Sequence, residues 1–347
     1  MNVLITAGSR RVPLVQAFQS VLRTEQQGHV VVTDVDATSP AVHVAHRAYR
    51  VPLSTDPGYV DSLLDICIAE RIRLIVPTVD DELEIVAEAR SRFAAIGTTV
   101  GCSTASTAAL CNDKYRTCRH LIGCGVEAAE TWLPDELPAG LPDLLFVKPR
   151  VGRGGVGAFV IRNRHERDFF LGYVPSPVIQ EFLQPPEYTI DMLCDWSGHP
   201  VSIVPRQRTV IRSGVSDRGR TVRDGALEGL AIRVAAAIPF QGPVNIQCRM
   251  RGDTPVVFEI NPRFSGGIPL TIAAGAHFPS MLVRMTLGER IAPALGAYRD
   301  DLWMTKYDAA LFLPADGLRL QSIDATRAGL REQASPVTVP VTAKAVA

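Results

Sequence analysis

The chain lacks the features that would tie it to a charged polymer, a membrane or an oxidising compartment. Its 36 lysines and arginines are balanced by 36 aspartates and glutamates, so the formal net charge at pH 7 is zero. No basic run stands out, which removes the electrostatic footprint of a nucleic-acid binder. No apolar run reaches bilayer-spanning length. Met1-Asn2-Val3-Leu4-Ile5-Thr6 enters a predicted strand with no basic region or small-residue cleavage site before it. Neither secretion nor membrane insertion is expected, and the expected location is cytoplasmic. The seven cysteines are odd in number, and none forms a C-x-x-C pair or stands near a histidine at zinc spacing. They read as reduced thiols. What remains is a small polar ligand, with a homodimer as the default assembly of a soluble enzyme.

At 347 residues the chain is long enough for two or three domains. Over the first hundred, short apolar runs alternate with helical patterns: Val3–Ala7, Val12–Leu22, Val30–Asp34, then Ile72–Thr78 and Leu83–Phe93. This predicts a parallel sheet covered by helices. Ligands collect at the carboxyl ends of such strands, which puts Gly8 to Arg11 and Thr78 to Glu82 on one rim and makes Arg10, Asp80 and Glu82 candidate substrate contacts. A helix-rich stretch from Thr104 to Ile122 leads to a proline-rich connector, Pro134 to Pro142. From Pro177 strands prevail, interrupted by a helix over Gly225–Ile238, as in an α+β domain on an antiparallel sheet. A last strand is expected near Trp303–Leu313, followed by a loosely ordered tail.

Three segments carry chemistry. Phe146-Val147-Lys148-Pro149 leads into a loop with glycines at 152, 154, 155 and 157, and then into a second strand. Amides of such a loop can approach phosphates closely, and Lys148 adds a point charge. A flexible surface hairpin is the other reading. In Glu259-Ile260-Asn261-Pro262-Arg263 the strand period places Glu259, Asn261 and Arg263 on one face. Two hard oxygen ligands suited to magnesium then stand beside a guanidinium that can meet a phosphoryl group; a solvated strand end is equally compatible. Gln247 can offer its carbonyl to the same cation. To stand opposite Glu259, it needs an odd-length turn such as Gly252–Thr254, or a bulge. Val178–Leu183 followed by Glu187 can read an adenine edge and ribose hydroxyls, though an ordinary buried strand would look the same. Arg206, Arg208 and Arg212 precede Ser213-Gly214, a basic strand and flexible loop suited to carboxylates or phosphates; a solvated basic face is the alternative.

In this order the segments resemble the ATP-grasp superfamily, in particular its carbamoyl-phosphate-synthetase-like branch of single-module carboxylate ligases, over residues 1 to 313. The resemblance implies a three-domain fold of α/β and α+β parts: a pre-ATP-grasp domain at 1–102, a lid subdomain at 103–175, a C-terminal domain at 176–313, and a tail at 314–347. It implies ATP bound by Lys114, Lys148 and the glycine-rich loop. Glu181, Phe182 and Leu183 would form the adenine hinge, and Glu187 would be the ribose acid. Gln247, Glu259 and Asn261 would hold two magnesium ions, which manganese could replace.

The implied reaction transfers the γ-phosphoryl of ATP to a carboxylate and passes the acyl phosphate to an amine. Lys148 and Arg263 would offset charge on the transferring group, and Arg208 or Arg212 would hold the oxyanion or the substrate carboxylate. The small-molecule partners would be an acid and an amine resembling amino acids. Rivals of the same fold use a thiol acceptor, or activate bicarbonate or a carbamate. A non-catalytic nucleotide sensor is a further rival. So is a nicotinamide-dependent oxidoreductase using Asp34, although Gly8-Ser9-Arg10-Arg11 lacks the later glycines of that fingerprint.

Overall fold

Runs of aliphatic residues buried on both faces make the first sheet parallel. Val3 to Ile5, Val30 to Val32 and Leu74 to Val76 are fully covered, as strands between two helical layers must be. The computed structural model describes residues 1–142, 144–152, 154–314, 318 and 320–322. It divides into two units: Met1–Ala105 with His277–Ile291 and Tyr307–Ala347, and Ser106–Ala276 with Ala292–Lys306.

The first unit opens with β1 (Asn2–Ile5), α1 (Val12–Val21), β2 (Val30–Asp34), α2 (Pro40–Val44) and β3 (Arg47–Arg50). It continues with α3 (Tyr59–Ala69), β4 (Ile72–Val76), α4 (Asp80–Glu88), α5 (Arg90–Ala95) and β5 (Thr99–Val100). Strands run in the order β3-β2-β1-β4-β5, all parallel. The helix expected over Leu83–Phe93 is two helices, because Ala89 (φ −80°, ψ 6°) leaves the helical ladder between them.

The second unit begins with α6 (Ala105–Asn112) and α7 (Lys114–Gly123). The helix-rich stretch divides at Asp113, whose side chain accepts from the Arg116 amide at 3.0 Å and caps α7. A four-stranded antiparallel sheet follows from β6 (Thr131–Trp132), β7 (Leu145–Pro149), β8 (Phe159–Ile161) and, after α8 (Arg164–Tyr173), β9 (Pro177–Glu181). Its order is β6-β9-β7-β8. The sequence reading had no helix at α8; Asn163 caps it by accepting from the Glu166 amide. Leu145, Val147, Ile161, Val174 and Ile179 form the core of this layer.

A larger antiparallel sheet comprises β10 (Gln184–Cys194), β11 (Pro200–Arg212), β12 (Val215–Thr221), β13 (Gly242–Arg251) and β14 (Thr254–Asn261), with α9 (Gly225–Ala237) between β12 and β13. After α10 (Ile268–Ala273) and α11 (Phe278–Thr286, in the first unit), β15 (Trp303–Thr305) completes the order β14-β13-β10-β11-β12-β15. Alternation divides this sheet cleanly. Ile190, Met192, Val244, Ile246, Cys248 and Ile260 bury one face against α7 and α9, each such aliphatic contributing about 1.5–3 kcal/mol. The other face is polar. β15 is shorter than the expected Trp303–Leu313 strand: it pairs with β12 from Arg220 back to Arg218, and β12 begins only three residues earlier, so its partner runs out.

Most of the expected tail lies outside the described residues. Within the described part, β16 (Gln321–Ser322) adds in parallel beside β3. Among the described residues no helix is long and apolar enough to cross a membrane. The cysteines are free, and all but Cys124 are buried.

Candidate functional site

Period-two alternation brings one set of polar side chains onto the open face of the large sheet. Glu187, Thr189 and Asp191 of β10 lie beside Arg208 and Arg206 of β11 on one side, and beside Arg249, Gln247 and Asn245 of β13 on the other. Gln247 stands opposite Glu259, and Asn245 opposite Asn261. The required register is reached by a bulge. The turn has only Gly252 and Asp253 between paired Arg251 and Thr254, and Phe258 is the extra residue between the Cys248–Val257 and Gln247–Glu259 pairs. Without it Glu259 would face the core.

The oxygens proposed from sequence as cation ligands are therefore together. Asn261 Nδ2 donates to Glu259 Oε1 at 3.2 Å, and Gln247 Nε2 and Asn261 Nδ2 both approach Asn245 Oδ1, at 3.4 and 3.5 Å. Arg263 lies just past β14 and donates through Nη2 to Asn261 Oδ1 at 3.3 Å. One carboxylate and two amide oxygens form a hard donor set that suits magnesium sharing its charge with phosphates. No cluster of three histidine, cysteine or acidic side chains able to hold a metal occurs among the described residues.

Lys148 sits on β7 with its side chain on the face away from Leu145 and Val147. It is 4% exposed, and its Nζ donates to the Phe258 carbonyl at 3.1 Å. Burial pushes its ammonium down to about 8; the charge of Glu259 opposes the shift, and that of Lys114 adds to it. Lys114, at the start of α7, is equally buried and donates to the Gly152 carbonyl at 2.7 Å. Lys114 thus reaches the glycine-rich loop, and Lys148 reaches β14. The loop needs its glycines: Gly154, Gly155 and Gly157 have φ near 70°, and a Cβ on Gly214 would lie 2.6 Å from Gly154 Cα. Ser213 and Gly214 form the two-residue β11–β12 turn and touch the glycine-rich loop.

Several expected contacts are already engaged inside the protein. Arg206 is 1% exposed and paired with Asp191 at 2.8 Å, its Nη2 also donating to Ser265, so the guanidinium expected to meet substrate is instead a buried strut. Glu187, expected at a ribose, gives one oxygen to Arg208 at 2.6 Å and the other to Arg249 at 2.8 Å. Arg208 further donates to Gln247 Oε1, Ser216 and the Gly214 carbonyl, and burial lowers its pKa. Arg212 is exposed and within 3.3 Å of Asp217. Glu181 pairs with Arg251 and accepts from the Glu130 amide, Phe182 is half-buried, and the Leu183 carbonyl accepts from Arg249.

In the first unit, the rim loops do come together: Arg11 Nη2 donates to the Thr78 carbonyl at 2.5 Å. Arg10 is exposed and Asp80 half-buried at the start of α4. Glu82 is fully buried. It accepts from the Thr78 and Val79 amides and from Tyr59, and burial raises its carboxyl pKa, so it fastens its own turn. Asp34 accepts the Ser9 and Asp36 amides and is likewise engaged, which counts against the oxidoreductase reading.

Arg249, Asp191 and Asn245 join this face without belonging to any of the sequence motifs. Arg249 was detectable as the residue two beyond Gln247 on the same strand face; the other two become informative only through cross-strand partners.

Two family models match parts of the chain: "PylC-like, N-terminal domain" over residues 3–101 and "ATP-grasp in the biosynthetic pathway with Ter operon" over residues 174–308. The large chain of carbamoyl phosphate synthase from Thermomicrobium roseum is 27% identical over 220 residues, covering 58% of this chain but only 20% of that protein. Among solved structures, the biotin carboxylase domain dimer of Hydrogenobacter thermophilus 2-oxoglutarate carboxylase, in complex with MgADP, ADP and bicarbonate, is similar at a TM-score of 0.68. It is 16% identical, over 87% of this chain and 73% of that one. The L-amino acid ligase of Bacillus licheniformis is similar at a TM-score of 0.64 and 19% identity, over 82% of this chain and 74% of that one. The match of residues 174–308 to an ATP-grasp family model, together with the likeness in fold to these structures, makes the chain similar to ATP-grasp proteins.

Proposed function

We propose that this chain uses ATP and magnesium to activate a carboxylate as an acyl phosphate and passes the acyl group to a nucleophile. The observation that carries this reading is the bulge at Phe258, which aligns Gln247, Glu259 and Asn261 under Lys148. A carboxylate is a poor electrophile; bonding one of its oxygens to the γ-phosphorus, with ADP leaving, creates a good leaving group. Lys114, Lys148 and the amides of the glycine-rich loop bind and orient the phosphates. Arg263 meets the group in transfer, and the loop excludes water from the intermediate. Magnesium, held by Gln247, Glu259 and Asn261, would supply charge neutralisation across the phosphate oxygens. Leu183 and its neighbours provide the hinge.

Bicarbonate or a carbamate is the first acid to test. The carbamoyl phosphate synthase relative and the biotin carboxylase structure with bicarbonate support that choice. Amino acids joined to amines are the second reading, supported by the likeness to an L-amino acid ligase. Since 20% of the synthase's length is spanned, its whole reaction is not proposed.

The test is ADP and phosphate release from MgATP with bicarbonate, amino acids and amines, singly and in pairs, comparing wild type with Glu259→Ala. Acid-dependent release that the variant loses by at least about a hundredfold is expected. Absence of magnesium-dependent ATP binding in the wild type would overturn the reading.

A further inference from the structure

The ligand amides have no intrinsic preference for which end faces the cation, so something must orient them. Asp191 is 1% exposed and is fixed by Arg206 at 2.8 and 3.1 Å and by the Thr271 hydroxyl at 2.5 Å. A carboxylate paired with a guanidinium accepts hydrogen bonds only, so the neighbouring side chain of Asn245, 3% exposed, must turn its Nδ2 toward it; that contact is 3.3 Å. The Asn245 carbonyl oxygen is then forced to the opposite side. There it meets Gln247 Nε2 at 3.4 Å and Asn261 Nδ2 at 3.5 Å. This oxygen acceptor turns the Gln247 nitrogen inward and, together with Glu259 Oε1 at 3.2 Å, that of Asn261, which leaves Gln247 Oε1 and Asn261 Oδ1 facing outward. Each of these oxygens already lies 3.3 Å from a guanidinium, of Arg208 and Arg263 respectively, as an oxygen turned to the charged side of the site should.

We propose that Asn245, anchored by Asp191, is a positioning residue that sets the orientation of the Gln247 amide and, with Glu259, that of Asn261, so that their oxygens point at the cation. The proposal rests on the metal-dependent nucleotide site described above. It explains why a strand face that needs only Gln247 for ligation also carries a buried asparagine two residues earlier, and why an ion pair as deep as Asp191–Arg206 lies beside it. A buried half-satisfied amide is costly, so the chain of acceptor and donor choices has one low-energy setting.

The test uses the full chain, ADP, the non-hydrolysable β,γ-imido analogue of ATP, and Mg2+ or Mn2+. Asn245→Ala removes the relay and leaves Asp191–Arg206 intact; Asn245→Ser restores one group that both donates and accepts. The relay predicts metal affinity in the analogue complex weakened about 10- to 100-fold in the alanine variant and partly recovered in the serine variant. The alanine variant loses buried hydrogen bonds and should unfold at a lower temperature, but its metal-free ADP binding should fall far less than its metal affinity. Wild-type metal affinity in Asn245→Ala overturns the relay while leaving the ATP-grasp function standing. An equal loss of metal-free ADP binding also overturns it, by showing a general structural effect. Lack of any metal-dependent analogue binding by the wild type removes both.

Discussion

Lys148 and Phe258 are 110 residues apart in the chain, yet the lysine Nζ donates to the phenylalanine carbonyl at 3.1 Å and sits 5.2 Å from its ring centre. The carbonyl belongs to the bulged residue that brings Glu259 opposite Gln247. One irregularity thus sets the register of the cation ligands and also provides an acceptor for the buried ammonium.

A pH dependence follows from that burial. In the proposed site Lys148 would meet phosphate as the cation; its pKa is lowered to about 8, and the charge is lost as pH rises through that value. Affinity for ADP measured by calorimetry should be flat below pH 8 and fall above it by up to about tenfold per pH unit. Lys148→Arg, which stays charged, should remove the limb; an unchanged limb would assign the titration elsewhere.

The Gly154–Gly214 contact predicts a second effect. In Gly214→Ala the new Cβ meets the backbone of Gly154, and φ is 73°, a conformation that costs an L side chain about 1–2 kcal/mol. The turn should part from the glycine-rich loop, with ADP binding weakened several-fold and faster protease cleavage within residues 150–157. Cleavage and binding at wild-type rates would mean that the contact does not constrain the loop.

Glu187 bridges Arg208 and Arg249, and its removal strands two cations. Glu187→Ala should cost about 3–5 kcal/mol of stability, read by denaturant unfolding. The double variant Glu187→Met with Arg208→Met should recover part of that loss, because it removes the more buried of the two cations while Arg249 keeps access to water.

Acid stability of the first unit should depend on Glu70. Burial raises its pKa, but bonds from His29, Tyr49 and Arg47 outweigh that and hold it at about 2. A carboxyl lowered on folding stabilises above its unfolded value of 4.5, and the contribution is lost as pH falls from there through about 2. Glu70→Gln should therefore lower stability by about 2–3 kcal/mol at pH 7 and by little at pH 2. An equal deficit at both would assign the effect to packing.

Much of this protein was legible in its sequence because the signals are local. Val3–Ile5, Val30–Asp34 and Ile72–Val76 declare a parallel sheet by being apolar throughout, and β10, β13 and β14 declare a two-faced sheet by alternating. Lys148, the glycines after it, and the Glu259–Arg263 segment stand out by residue type and spacing as the basis of the proposed phosphate and cation site. Tertiary structure decided what depends on partners distant in sequence. Arg206 and Glu82 look like substrate contacts until Asp191 and the Thr78 turn are seen to occupy them. The bulge at Phe258, and not the turn length, sets the register. Asp191 and Arg208, on strands distant in sequence, supply the acceptor for Asn245 Nδ2 and a donor to Gln247 Oε1, and no period within a single strand encodes the direction in which an amide points.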